Sequence, residues 1–181
     1  MTAEDRGRAG RILGVGLSRT GTKSLSRALE TLGVRTIHYP GYAFEDGSIE
    51  IDPRALDEHE ALLDTPIALS FPELDVRYPG SKFIYTVRET DAWLDSCRRF
   101  FFEGAFERPR VVELCRQLYG SEVFDEETFR AAYVRQDARV RSYFAARPDD
   151  LLVLDVCGGQ GWDELCAFLE RPMVNEPFPR C

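Results

Sequence analysis

Gly14-Val15-Gly16-Leu17-Ser18-Arg19-Thr20-Gly21-Thr22-Lys23-Ser24-Leu25 joins a short apolar run, Ile12 to Leu17, to a helical pattern of Leu25, Ala28, Leu29 and Leu32. A glycine-rich turn between a strand and a helix leaves backbone N–H groups at the helix start. Those donors, with the positive end of the helix dipole, favour a bound phosphate or sulfate. Gly21 lets the chain approach an anion closely. Arg19, Thr20, Thr22, Lys23 and Ser24 surround it with further donors. The stretch reads as an anion cradle of the kind that holds the phosphates of a nucleotide.

Working outward, short apolar runs alternate with helical patterns. The strand candidates are Arg11–Leu17, Val34–His38, Ile67–Ser70, Lys82–Val87 and Leu151–Val156. Runs apolar on both faces suit a buried parallel sheet covered by helices. The helix candidates are Lys23–Leu32, Pro53–Leu63, Thr90–Phe102, Val111–Tyr119, Glu126–Ala146 and Trp162–Leu169. Pro53 suits a first helical position, and Asp125 with Thr128 suits a cap. Asp46-Gly47 and Pro79-Gly80 mark turns, and Gly41–Asp52 reads as a loop. With no repeat or linker, the expectation is one three-layer α/β domain over residues 11–181 after a flexible segment 1–10.

A second cluster of donors lies downstream. Arg88 ends the strand candidate Lys82–Val87, and Ser96 sits within the following helix, eight positions on. Ligands of open parallel sheets bind at the carboxyl ends of the strands. A guanidinium fork and a short hydroxyl there suit a phosphate.

The cradle misses the Walker A spacing, since Thr22 stands directly before Lys23 and Leu17 takes the place of the earlier glycine. It also misses the dinucleotide pattern, because Arg19 stands where a third glycine belongs. In a shifted frame, Arg19-Thr20-Gly21-Thr22-Lys23-Ser24 resembles the phosphosulfate loop of sulfotransferases. Arg88 and Ser96 resemble that family's 3′-phosphate motif, although Thr90 replaces its usual proline. Leu151–Val156, Gly161–Leu169 and Pro177-Phe178-Pro179 are similar to the last strand, last helix and closing segment of bacterial sulfotransferases. Residues 100–147 match least.

The resemblance implies a P-loop NTPase-like fold and 3′-phosphoadenosine 5′-phosphosulfate (PAPS) as cofactor, with adenosine 3′,5′-bisphosphate as product. It implies transfer of the sulfuryl group to a hydroxyl or amine of a small-molecule or carbohydrate acceptor. Thr20, Gly21, Thr22, Lys23 and Ser24 would hold the phosphosulfate, and Arg88 and Ser96 the 3′-phosphate. Arg19 matches the family's basic residue beside the leaving oxygens, and Lys23 shares that region. For the base there are two candidates. His38 ends the second strand candidate, with an ordinary pKa near ~6.5 suited to proton abstraction. Asp64 lies upstream of the arginine motif, and burial would raise its pKa into a useful range. A cap or a strand-end hydrogen bond is the structural alternative for each.

Other classes stay open. Asp155 as a magnesium ligand would favour a phosphotransferase or NTPase, and a catalytically silent nucleotide-binding protein is a third reading. Tyr39, Tyr42, Phe44, Phe100, Phe101, Phe102 and Phe106 are candidates for either core or acceptor pocket. Trp93 and Trp162 read as packing residues, and His59 as an exposed one. The net charge of −8 gives no basic field for nucleic acid. Five scattered cysteines without C-x-x-C spacing favour a reduced, cytoplasmic protein. No signal peptide or membrane-length apolar run is visible, so no membrane partner is expected.

Overall fold

The computed structural model describes residues 10–180. The expected flexible segment 1–10 therefore lies outside the described residues, apart from Gly10. The first half of the chain runs β1 (Ile12–Gly14), α1 (Thr22–Thr31), β2 (Thr36–His38), β3 (Tyr42–Glu45), β4 (Ser48–Ile51), α2 (Pro53–Glu58) and β5 (Ala61–Leu63). It continues with α3 (Thr65–Arg77), β6 (Lys82–Thr86), α4 (Thr90–Phe100), α5 (Pro109–Tyr119), α6 (Glu126–Tyr143), β7 (Leu151–Leu154) and α7 (Trp162–Phe168).

β2-β5-β1-β6-β7 form a parallel sheet in that order. Alternate side chains feed two apolar layers. Leu13, Leu62, Phe83 and Tyr85 face a large core with Phe71 of α3, Trp93 of α4, Leu118 of α5 and Val140 of α6. Ala61, Leu63, Ile84 and Leu154 face the opposite layer, with Leu25 and Leu29 of α1 and Leu165 of α7. The expected three-layer α/β architecture is the one observed.

Three local expectations are corrected. Ile67–Ser70 is not a strand but part of α3. Pro66 favours the helix start, and both Ile67 and Ala68 are fully buried, so the run looked as apolar as a strand. The strand between β2 and β1 is instead Ala61–Leu63, where the sequence pattern predicts the end of a helix over Pro53–Leu63. That helix stops at Glu58, and the chain turns extended at His59. His59 is half-buried there rather than exposed, with Nδ1 facing the Ala55 carbonyl at 3.1 Å. Gly41–Asp52 is not a plain loop: β3 and β4 pair antiparallel around Asp46-Gly47, both at positive φ.

α3 tolerates an internal proline, Pro72. Proline has no N–H for the carbonyl four residues back. That carbonyl, of Ala68, accepts instead from Gln136 Nε2 at 3.3 Å and Arg139 Nη1 at 3.2 Å, both on α6. The substitute donors pin α3 to α6 and so steady the residue that starts α3, Asp64.

Candidate active site

The carboxyl ends of the parallel strands bring the chemistry together. β1 runs into the glycine-rich loop, β2 ends at His38, β5 leads into Asp64, β6 into Arg88 and β7 into Cys157. One cavity of about 130 Å³ opens among them, lined by residues that include Arg19, Gly21, Thr22, Lys23, Ser24, His38, Asp64 and Arg88.

The loop is built to receive something close to the backbone. Gly21 precedes α1 at φ 102, in the left-handed region that favours glycine. A side chain on Gly16 would collide with the Thr86 hydroxyl. Thr20 Oγ1 lies 2.7 Å from both the Leu17 carbonyl and Thr86 Oγ1, which ties the loop to β6. The first intrahelical bond of α1 runs from the Leu25 N–H to the Gly21 carbonyl at 3.0 Å. The N–H groups of Thr22 and Lys23 precede that bond and face out of the helix end.

The two arginines are preorganised by different means. Arg19 adopts φ 74, a conformation costly for a non-glycine residue, on the order of 1–3 kcal/mol. Its Nε donates to Ser96 Oγ at 3.0 Å, and its guanidinium lies over the Phe100 ring at 5.0 Å. The Arg19 carbonyl accepts from Arg88 Nη1 at 3.3 Å. Arg88 is gripped through its backbone: its N–H donates to Tyr133 Oη at 3.0 Å, and that hydroxyl donates to its carbonyl at 2.6 Å. Arg88 Nε is buried and has no hydrogen-bond partner. A buried guanidinium N–H without an acceptor is costly; Arg11 Nε shares that state, but of the two arginines only Arg88 lines the cavity, where an anionic acceptor has room.

His38 and Asp64 form a pair, with His38 Nε2 3.3 Å from Asp64 Oδ2 and 3.0 Å from Thr22 Oγ1. Asp64 stands at the N-cap of α3 at φ 84, yet its side chain makes no capping bond. Its other oxygen, Oδ1, accepts from Ser18 Oγ at 3.2 Å. Burial pushes the Asp64 carboxyl above its ordinary 3.8, against the pull of His38, the Thr65 N–H, Ser18 and Lys23. Burial likewise lowers the His38 imidazole below 6.5, partly offset by Asp64 and reinforced by Lys23. The pair shares its protons, so its titration belongs to both groups. A desolvated carboxylate beside an imidazole is chemically a proton acceptor.

A family model described as a sulfotransferase domain matches residues 11–52 and 47–181 of this chain. The chain belongs to the sulfotransferase family. It is also 25% identical over 207 residues to "Ava biosynthesis cluster protein M" of Aspergillus versicolor, covering 93% of this chain and 79% of that protein. The family carries sulfotransferase activity, which makes the protein a transferase.

Within this sulfotransferase, the residues expected from sequence converge with two adjustments. Ser96 is 2% exposed and does not line the cavity; it lies beneath Arg19 and orients that side chain. Thr20 is buried and braces the loop against β6. Asp155 also stays off the cavity wall, and its carboxylate accepts from the Gly158 N–H at 2.7 Å, which ties it to the turn after β7. Phe100 reaches the cavity, Phe101 is core and Phe102 is exposed. Trp93 and Trp162 are both buried, as packing residues are.

Four residues at the site have roles that the motifs do not assign. Ser18 and Cys157 line the cavity, and Tyr119 and Tyr133 support its loops from behind. Cys157 is exposed, whereas Cys97, Cys115 and Cys166 are buried. Among the described residues no helix is long and apolar enough to cross a membrane, and no cluster of His, Cys, Asp or Glu is arranged to hold a metal ion.

Proposed function

We propose that this protein transfers the sulfuryl group of PAPS to a hydroxyl or amine of a small-molecule or carbohydrate acceptor. The unpartnered, buried Nε of Arg88 is the observation that carries this reading. It sits beside a cavity that a helix N-terminus, Arg19 and Lys23 also border, a donor set matched to a ligand with several anionic groups. The collision that a Gly16 side chain would make with Thr86 supports this reading only indirectly: the loop packs directly on β6, which holds the cradle's backbone in place.

PAPS, when bound, supplies an activated sulfuryl group and a bisphosphate leaving group. Gly21, Thr22, Lys23 and Ser24 form its phosphosulfate cradle, through backbone N–H groups and the Lys23 charge, while Thr20, expected there from sequence, braces the loop from behind. Arg88 holds the 3′-phosphate. Ser96 acts by fixing Arg19, a change of role from a direct ligand of the 3′-phosphate. Arg19 places a cation where negative charge grows as the sulfuryl group leaves. His38 and Asp64 remove the acceptor proton, with Thr22 linking the imidazole to the cradle. Reduced, cytoplasmic conditions suit the protein, supported by the four cysteines that are free among the described residues.

Arg88→Ala tests the assignment by calorimetry with adenosine 3′,5′-bisphosphate. A hydrogen bond to a charged group contributes about 1.5–3 kcal/mol, so affinity should fall by roughly ten- to a hundredfold. Ser96→Ala should weaken binding less, because it acts through Arg19. Equal affinity of wild type and Arg88→Ala would remove Arg88 from the phosphate site.

A further inference from the structure

Ser18 precedes the anion-binding run and lines the same cavity. Contacts from three elements fix it. Its N–H donates to Tyr119 Oη, at the end of α5, at 3.1 Å. Its carbonyl accepts from Trp93 Nε1, on α4, at 2.9 Å. Its hydroxyl donates to Asp64 Oδ1, after β5, at 3.2 Å. Trp93 and Tyr119 are fully buried, and both rings pack against Phe129 of α6. Two core aromatics thus hold the backbone of a loop residue and leave its hydroxyl aimed at one carboxylate oxygen. An ordinary loop serine would leave these backbone groups to water.

Asp64 needs such a partner. A carboxylate at an N-cap normally accepts from the second or third N–H of its helix, but Asp64 makes no such capping bond and meets only the adjacent Thr65 N–H. Its two oxygens meet two side-chain partners, Ser18 on Oδ1 and His38 on Oδ2. We propose that Ser18 is a positioning residue for Asp64, holding one carboxylate oxygen so that the pair with His38 keeps a single orientation toward the acceptor. This rests on the reading of His38 and Asp64 as the base.

The groups that face the carboxylate are known from every side. His38 and Tyr39 approach from the end of β2, Lys23 from α1, Tyr119 from α5 and the Thr65 N–H from α3. The Ser18 hydroxyl favours the charged carboxylate, and its removal makes protonation easier. Catalysis would suffer twice, through a misdirected carboxylate and through a displaced pH profile.

The test uses the ligand-free protein labelled with 13C at the aspartate carboxyl carbons. The Asp64 resonance is the one missing from Asp64→Asn. In Ser18→Ala its titration midpoint should move up by about one unit, the equivalent of one charged hydrogen bond. Ser18→Thr, which keeps a hydroxyl, should return most of that shift. Tyr119→Phe, which releases the Ser18 backbone, should give a smaller shift in the same direction. An unmoved midpoint in Ser18→Ala, or an equal shift in Ser18→Thr, would overturn the proposal. Failure of the wild type to bind adenosine 3′,5′-bisphosphate would instead overturn the sulfuryl-transfer reading, a separate and distinguishable result.

Discussion

Asp64→Asn lowers the rate of sulfuryl transfer from PAPS by about 10²–10⁴-fold while adenosine 3′,5′-bisphosphate still binds, the expected cost of losing a positioned general base. Asparagine keeps the shape of the aspartate that already occupies this strained backbone, φ 84 and ψ −172, and adds no bulk there, so the effect reports proton transfer rather than collapse of the loop. His38→Asn should cost less if the imidazole mainly orients the carboxylate, and as much if it carries the proton. The wild-type rate should rise with pH along a limb lying above 3.8, because burial raises the Asp64 carboxyl and the pair must lose its proton to act. A limb at the ordinary carboxylate position, or near-normal turnover in both variants, would place the base elsewhere.

The same shift has a consequence for stability. A native pKa raised above its unfolded value means that the folded state holds the proton more tightly. Asp64 therefore favours folding most below 3.8 and gives that preference up as pH rises through its raised native value. Asp64→Asn should melt no lower than wild type at neutral pH, as expected when an active site keeps a desolvated charge at the expense of stability.

Arg19→Ala is expected to reduce turnover by about 10²–10³-fold and affinity for the bisphosphate by much less, since a preorganised cation acts most on charge that develops in the transition state. The preorganisation is visible: the side chain is tied to Ser96 at 3.0 Å and backed by Phe100. Arg19→Lys keeps the charge but loses both the Nε bond and the planar stacking, so it should recover only part of the rate. Single-turnover transfer at saturating PAPS is the measurement. An unchanged rate would leave Arg19 a binding or structural residue.

What could be read from sequence was local. The run from Ser18 to Ser24 carries its own turn, helix start and donors within seven residues, and Arg88 sits where a clear strand ends. β5 was hidden because three apolar residues, Ala61-Leu62-Leu63, cannot be told from the end of a helix by periodicity. The partners of the site were hidden for another reason. Tyr119 is 101 positions from the Ser18 N–H it accepts, and Tyr133 is 45 from Arg88. Both lie in the segment with least family resemblance, and only folding brings them behind the loops. The meeting of His38 and Asp64 is likewise a product of strand order: β2 and β5 are neighbours, with His38 in register with Leu63, the residue before Asp64.

The cradle's ligand can be tested without knowing the acceptor, by comparing thermal unfolding with adenosine 3′,5′-bisphosphate in chelator against ATP with magnesium. A ligand at a hundredfold excess over its Kd stabilises the native state by about 2.7 kcal/mol, roughly 5–10 °C of melting temperature for a chain of this size. Metal-free stabilisation by the bisphosphate, lost in Arg88→Ala, is the result predicted here. Stabilisation by ATP–magnesium alone, with no response to the bisphosphate, would contradict it.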